Sequence, residues 1–184
     1  MGTISKDTFK RLVLLYTIGR FKDGVYGLLR LNKVAYFGLK NASLKPFGFK
    51  CDLYGPHSGD LDTINEQLLS MNHTKATPLE SGQGNKYSLT DKKSMRFYSL
   101  AMSHTHAKLK EKINKSVETY GYLPEEELLK KAHSDPEYLE AVAKGIDIFE
   151  EKLPPRIPVD LSDDDCEDLE LGLDPDFISA MRRV

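Results

Sequence analysis

Ser58-Gly59-Asp60-Leu61-Asp62-Thr63-Ile64-Asn65-Glu66-Gln67-Leu68-Leu69-Ser70-Met71, then Lys75-Ala76-Thr77-Pro78-Leu79, Glu80-Ser81-Gly82-Gln83-Gly84 and Asn85-Lys86-Tyr87-Ser88-Leu89-Thr90, is the stretch that decides the fold. Its first part is a helix. Leu61, Ile64, Leu68 and Met71 recur at helical spacing, Ser58 is a capping residue, and Asp60 and Asp62 suit the positive end of the dipole. Its second part is a hairpin, two short extended runs around a loop with two glycines. Pro78 lacks an N–H for a central ladder, so its strand belongs at an edge.

Two helices precede this stretch. Phe9, Leu12, Val13, Tyr16 and Thr17 mark the first, over roughly residues 6–20. Gly24 and Gly27 punctuate a loop, and a second runs from about Leu28 to Asn41. Its apolar stripe is Leu31, Val34, Ala35, Gly38 and Leu39, with Arg30, Lys33, Phe37 and Lys40 opposite. Phe49–Tyr54 reads as extended and Gly55-Pro56 closes it. Three helices followed by a glycine-tipped hairpin is the order of a winged helix-turn-helix. The expected fold class is therefore mostly α with a small β wing, and the winged-helix domain spans residues 1–120.

Beyond the hairpin, Thr90 caps an expected long helix from about Asp91 to Thr119. Its stripe of Met95, Tyr98, Met102, Leu109, Ile113 and Val117 suits core packing or a homodimer. A helical extension follows over 121–153, with helices opened by Pro124 and by Asp135-Pro136, the second reaching about Lys152. Leu153-Pro154-Pro155-Arg156-Ile157-Pro158 reads as a linker, so 154–184 is a Pro-rich linker and acidic tail. From Asp160 to Asp176 there are nine acids and no Lys or Arg. Asp174-Pro175 opens a final short helix with Phe177, Ile178 and Met181, expected to be an ordered contact that buries Phe177 and Met181 against this chain, a second copy or a partner.

Charge is split along the chain. Met1–Ser116 holds 19 Lys+Arg against 9 Asp+Glu, and Val117–Val184 holds 7 against 19, within a total of −2. Such asymmetry points to nucleic-acid or protein partners, or to one half screening the other. Cys51 and Cys166 set no disulfide framework and read as reduced cytosolic thiols. The amino terminus has no apolar segment of a signal peptide, and no run approaches the ~20 residues of a membrane span. A cytoplasmic chain without membrane contact is the expectation.

Two segments resemble a family. Arg30-Leu31-Asn32-Lys33-Val34-Ala35-Tyr36-Phe37 resembles the Lys-Leu-x-Lys-x-x-Tyr segment of the Panacea antitoxin domain and related uncharacterised bacterial winged-helix proteins. Tyr54-Gly55-Pro56-His57-Ser58-Gly59-Asp60-Leu61 resembles their Tyr-Gly-Pro-x-Ser motif leading into a helix. The resemblance covers roughly residues 6–120. It implies a winged-helix fold, a non-enzymatic character and an antitoxin that neutralises a partner toxin. The acidic C-terminal segment departs from the pattern.

The third helix occupies the recognition position of such a fold. DNA-reading helices present Arg, Lys, Asn or Gln to bases and phosphates, whereas this one carries Asp60, Asp62 and Glu66, and no Lys or Arg occurs from Cys51 to Thr74. Protein–protein contact is therefore expected, with Asp60, Asp62, Glu66, Asp174, Phe177, Ile178 and Met181 as candidate contacts and a cognate toxin as the candidate partner. The alternative is a DNA-binding transcription regulator. Thr63, Asn65 and Gln67 are residue types that read bases, and Arg30, Lys33, Lys40, Lys75, Lys86, Lys92, Lys93 and Arg96 are candidate contacts for weak phosphate binding. No catalytic residue, metal or cofactor is assigned. The histidines lack metal-ligand spacing, His57-Ser58 lacks a third group and an oxyanion hole, and Gly82-Gln83-Gly84 lacks the P-loop lysine.

Overall fold

The computed structural model describes residues 1–183, a mixed α/β chain about 52% helical, with nine helices and small sheets among the described residues. In chain order these are β1 Gly2–Ser5, α1 Lys6–Gly19, β2 Val25–Tyr26, α2 Leu28–Leu39, β3 Lys50–Asp52, β4 Gly55–His57, α3 Gly59–Ser70, β5 Thr74–Pro78 and β6 Asn85–Leu89. Then come α4 Ser94–Ala101, α5 Ala107–Tyr120, α6 Glu125–His133, α7 Pro136–Lys144, β7 Arg156–Val159, α8 Asp163–Gly172 and α9 Pro175–Met181. No helix among the described residues is long and apolar enough to cross a membrane.

Helix α1 is the axis of the core. Every residue from Thr8 to Ile18 is buried, because α3, α4 and α5, strand β6 and the β1–β7 pair all pack on it. A helix enclosed on every side cannot leave a polar face to water. Its polar side chains, Lys10 and Arg11 among them, must then find partners inside the protein.

Helix α2 packs closely on α5: Gly38 faces Ile113 and Ser116, and the Ser116 hydroxyl donates to the Val34 carbonyl at 2.6 Å. Strands β2, β6 and β5 form an antiparallel sheet in the order β2-β6-β5, with Val25 opposite Tyr87 and Ala76 opposite Tyr87 on its other side. Pro78 lies on the outer strand, as its missing N–H requires.

The expected helix over 91–119 is two helices. The chain breaks at Met102–His106 because the Asp160 carboxylate accepts hydrogen bonds from the His104 N–H (2.7 Å), the Thr105 N–H (2.9 Å) and the Thr105 hydroxyl (2.8 Å). Tyr98, Met102, Leu109, Ile113 and Val117 are buried in the chain's own core. Of the two readings of that stripe, core packing or a homodimer, these residues take the first.

The expected helix from Asp135 to Lys152 ends at Lys144, where Gly145 adopts a left-handed conformation at φ 64°. The chain then runs back beside the segment before β3, with bridges Phe49–Phe149 and Lys45–Lys152.

The segment read as a linker is structural. Arg156–Val159 is β7, antiparallel to β1 with Ile4 opposite Ile157, and both isoleucines are fully buried. Pro158 is accommodated because this sheet has only two strands. The acidic stretch is helical as well. Ser162 caps α8 by accepting from the Asp165 N–H at 3.1 Å, and Cys166, Leu169 and Leu173 join the main core. Residues 154–184 are thus no free acidic tail within the described residues.

Candidate functional site

The segments Arg30–Phe37 and Tyr54–Leu61 meet at the junction of α2, β4 and α3. The buried amine of Lys33, at 2% exposure, donates to the Pro56 carbonyl at 2.8 Å. Gly55 lies beside it at φ +94°, a conformation that favours glycine, and a Cβ there would lie 3.3 Å from the Ala132 Cβ. Asn32 accepts from the Ser58 N–H at 2.8 Å and donates to Asp62 at 2.9 Å. Asp62 also pairs with His57 at 2.8 Å. Ser58 is buried and its Oγ accepts from the Leu61 N–H at 3.2 Å, so the hydroxyl serves as a helix cap.

Burial pushes the Lys33 pKa down to about 8 against the opposing fields of Asp52 and Asp62. Lys33 is therefore an internal brace and no nucleic-acid contact. Two neighbouring candidates are corrected in the same way. Arg30 donates to the carbonyls of Gly121 (3.1 Å) and Leu123 (2.7 Å), and Lys40 pairs with the buried carboxylate of Asp135. Asp135 also accepts from the Tyr36 hydroxyl at 2.6 Å and caps α7. Burial would raise its pKa, but the hydrogen bonds from Lys40 and Tyr36 outweigh that and hold it below the usual carboxylate value.

The solvent face of α3 is Gly59, Asp60, Thr63, Glu66 and Ser70. It carries two carboxylates and no cation. Asp60 is tied to Lys10 at 2.8 Å, and Lys10 also pairs with Glu151. Burial would lower the Lys10 pKa, but these two hydrogen bonds outweigh it and raise it. Asn65 is 1% exposed and cannot reach a base edge, and Gln67 receives the Arg11 guanidinium at 3.1 and 2.9 Å. Of the three base-reading residue types on this helix, only Thr63 faces solvent.

The remaining candidate cations lie on β5, on β6, and at the start of α4. Lys75, Lys92, Lys93 and Arg96 are exposed, Lys86 is half-buried over the exposed Tyr26 ring at 5.7 Å, and none of the five forms an ion pair among the described residues.

Asp174 caps α9 as expected, accepting from the N–H groups of Asp176 and Phe177. The burial expected to follow does not occur within the chain. Ile178 packs against the core, whereas Phe177 is 39% and Met181 61% exposed. A helix of seven residues presents one stripe to the core, and Ile178 occupies it. Residues missed at the sequence level are Lys10, Arg11 and Asn32. The signal for Lys10 and Arg11 was available in α1, where they interrupt an apolar run from Phe9 to Ile18 that is too continuous for a one-sided helix, whereas Asn32 carried none.

No protein-family model matches the chain, and no curated protein or solved structure matches it. Function is therefore read from the chain's own geometry and charge.

Proposed function

We propose that the chain is a non-enzymatic winged-helix protein of antitoxin or regulatory type that acts by binding a protein partner through the α3 side of the molecule. The order α1-β2-α2-β3-β4-α3-β5-β6, with β2 pairing β6 in an antiparallel sheet and the β3–β4 pair inserted between the second and third helices, supports the winged-helix assignment. The observation that carries the mode of action is the α3 solvent face, which bears Asp60 and Glu66 and no Lys or Arg of its own, with Asp60 held by Lys10 of α1 and Asn65 buried. Facing a phosphate backbone, such a surface opposes binding. Facing a basic protein surface, it favours encounter and register. A cognate toxin is the candidate partner under the Panacea resemblance.

Photo-cross-linking from Thr63→p-benzoylphenylalanine in the native cell tests this reading. A discrete protein adduct is expected, lost with Glu66→Lys and retained with Lys75→Ala/Lys86→Ala. Adducts to nucleic acid alone would overturn it.

A DNA-binding regulator is the second reading, and one observation favours it: the five cations without ion pairs around β5, β6 and α4 suit phosphate contact. Such binding would be led by the wing and largely independent of sequence, because the third helix offers little to read bases with.

A further inference from the structure

We propose that the groove between the first turns of α1, the side of α3 and the α8–α9 corner docks a basic segment of a protein partner. The segment seats a Lys or Arg side chain among Asp7, Asp174 and Asp176 and a backbone carbonyl on Arg11. This rests on the protein-binding reading and extends it to a site.

The groove has a volume of about 570 Å³ and is lined in part by Asp7, Arg11, Gln67, Leu171, Asp174 and Asp176. Arg11 is the unusual group. It is only 7% exposed, yet it has no ion pair among the described residues, and its Nε and Nη2 both donate to a single atom, the Gln67 Oε1. A guanidinium has five N–H donors in a rigid fork. Nη1 makes no hydrogen bond among the described residues, and Arg11 lines the groove. Nη1 is not sealed from solvent, so its donors are open to the groove.

Charge decides which acceptor. Arg156, the other cation of the groove, is taken by Glu170 at 2.9 Å. Asp7, Asp174 and Asp176 are exposed and unpaired among the described residues, and their fields reach Arg11 without forming an ion pair with it. With three carboxylates against one guanidinium, a free anion is repelled, whereas a cation is attracted and a neutral carbonyl is tolerated at Arg11. A helix C-terminus supplies both groups at once, because its last carbonyls are unsatisfied and it favours Lys and Arg in its final turn. Leu171, Phe177 and Met181, all exposed nearby on α8 and α9, offer apolar contact to the same segment.

The test titrates the full chain with an acetylated, amidated 14-residue Lys-Leu amphipathic peptide and with its Glu-Leu counterpart, followed by NMR and calorimetry. The Lys-Leu peptide is expected to shift the Arg11 Nε–H and Gln67 side-chain amide signals. Asp7→Asn/Asp176→Asn, two exposed changes whose folding is checked by an unchanged melting temperature, should weaken binding at least about tenfold. Equal binding of the Glu-Leu peptide, shifts confined to the acids of α6, or no effect of the double variant would each overturn the proposal. If the double variant still gives the protein adduct from position 63 but no longer binds the peptide, the groove takes basic peptides without being the partner's seat, which overturns the site and leaves the protein-binding reading standing.

Discussion

The Lys33 amine donates to the Pro56 carbonyl at 2.8 Å, joining residues 23 positions apart and tying α2 to the turn that launches α3. Asn32 makes the adjoining link, from Ser58 to Asp62. The segments Arg30–Phe37 and Tyr54–Leu61 are thus two halves of a single internal brace. Their residue types are explained by packing before any partner is invoked.

That brace has a pH signature. Lys33 sits at about 8 in the folded chain against 10.5 for an ordinary lysine. Between those values the unfolded chain binds the proton more tightly, so stability rises with pH across this window and the gain is lost as pH falls through about 8. Urea unfolding at pH 7, 8, 9 and 10 should show this rise in the wild type, and Lys33→Met should flatten it. Equal slopes in the two proteins would refute the assignment.

Asp135 ties two elements together, holding the Lys40 amine and the Tyr36 hydroxyl of α2 and the first turn of α7. Asp135→Ala leaves Lys40 without its buried partner and should cost about 3–5 kcal/mol. Its pKa is lowered by folding, so its contribution is present above the ordinary aspartate value and lost as pH falls through the lower folded one. Chemical denaturation at pH 7 and at pH 3 should show the variant's deficit shrinking in acid.

The α4–α5 break depends on one carboxylate. Asp160→Ala should cost about 1–2 kcal/mol, the scale of a lost cap. Amide exchange at His104 and Thr105 should quicken by more than tenfold, with α2 protected as before. Unchanged exchange at these two amides would show that the loop holds itself.

The C-terminal segment should separate into a part the fold needs and a part it does not. Leu173→Ala, at 1% exposure, should cost about 2–5 kcal/mol, and Ile157→Ala the same. Phe177→Ala, at 39% exposure, should cost under about 1 kcal/mol in the isolated chain and show its effect on partner binding. Deleting 159–184 would remove Leu161, Cys166, Leu169 and Leu173 from the core, so the expected outcome is an unstable chain rather than one with higher affinity for polyanions.

Binding of duplex DNA, if measured by anisotropy, should be weak, should fall steeply with salt and should not distinguish sequences. Lys75→Ala/Lys86→Ala should weaken it for every duplex alike, while Lys33→Met should leave it unchanged because that amine is buried. Tight binding to one sequence, abolished by Thr63→Ala, would install the regulator reading.

What the sequence alone determined is local. The three helices, the Ser58 cap, the edge position of Pro78 and the Asp174 cap were legible because periodicity and capping act within a few residues. The partners of the charged groups were not legible in that way. Arg30, Lys33 and Lys40 share a polar face on a helical wheel, yet each is spent on a partner more than 20 residues away. The break at Met102–His106 is made by Asp160, and the proline-rich stretch 153–158 is a strand because β1 lies beside it. A side chain's charge and helical face are written in its neighbours along the chain. Whether it meets solvent, a carbonyl or a carboxylate depends on which distant segment packs there, and only the tertiary structure decides that.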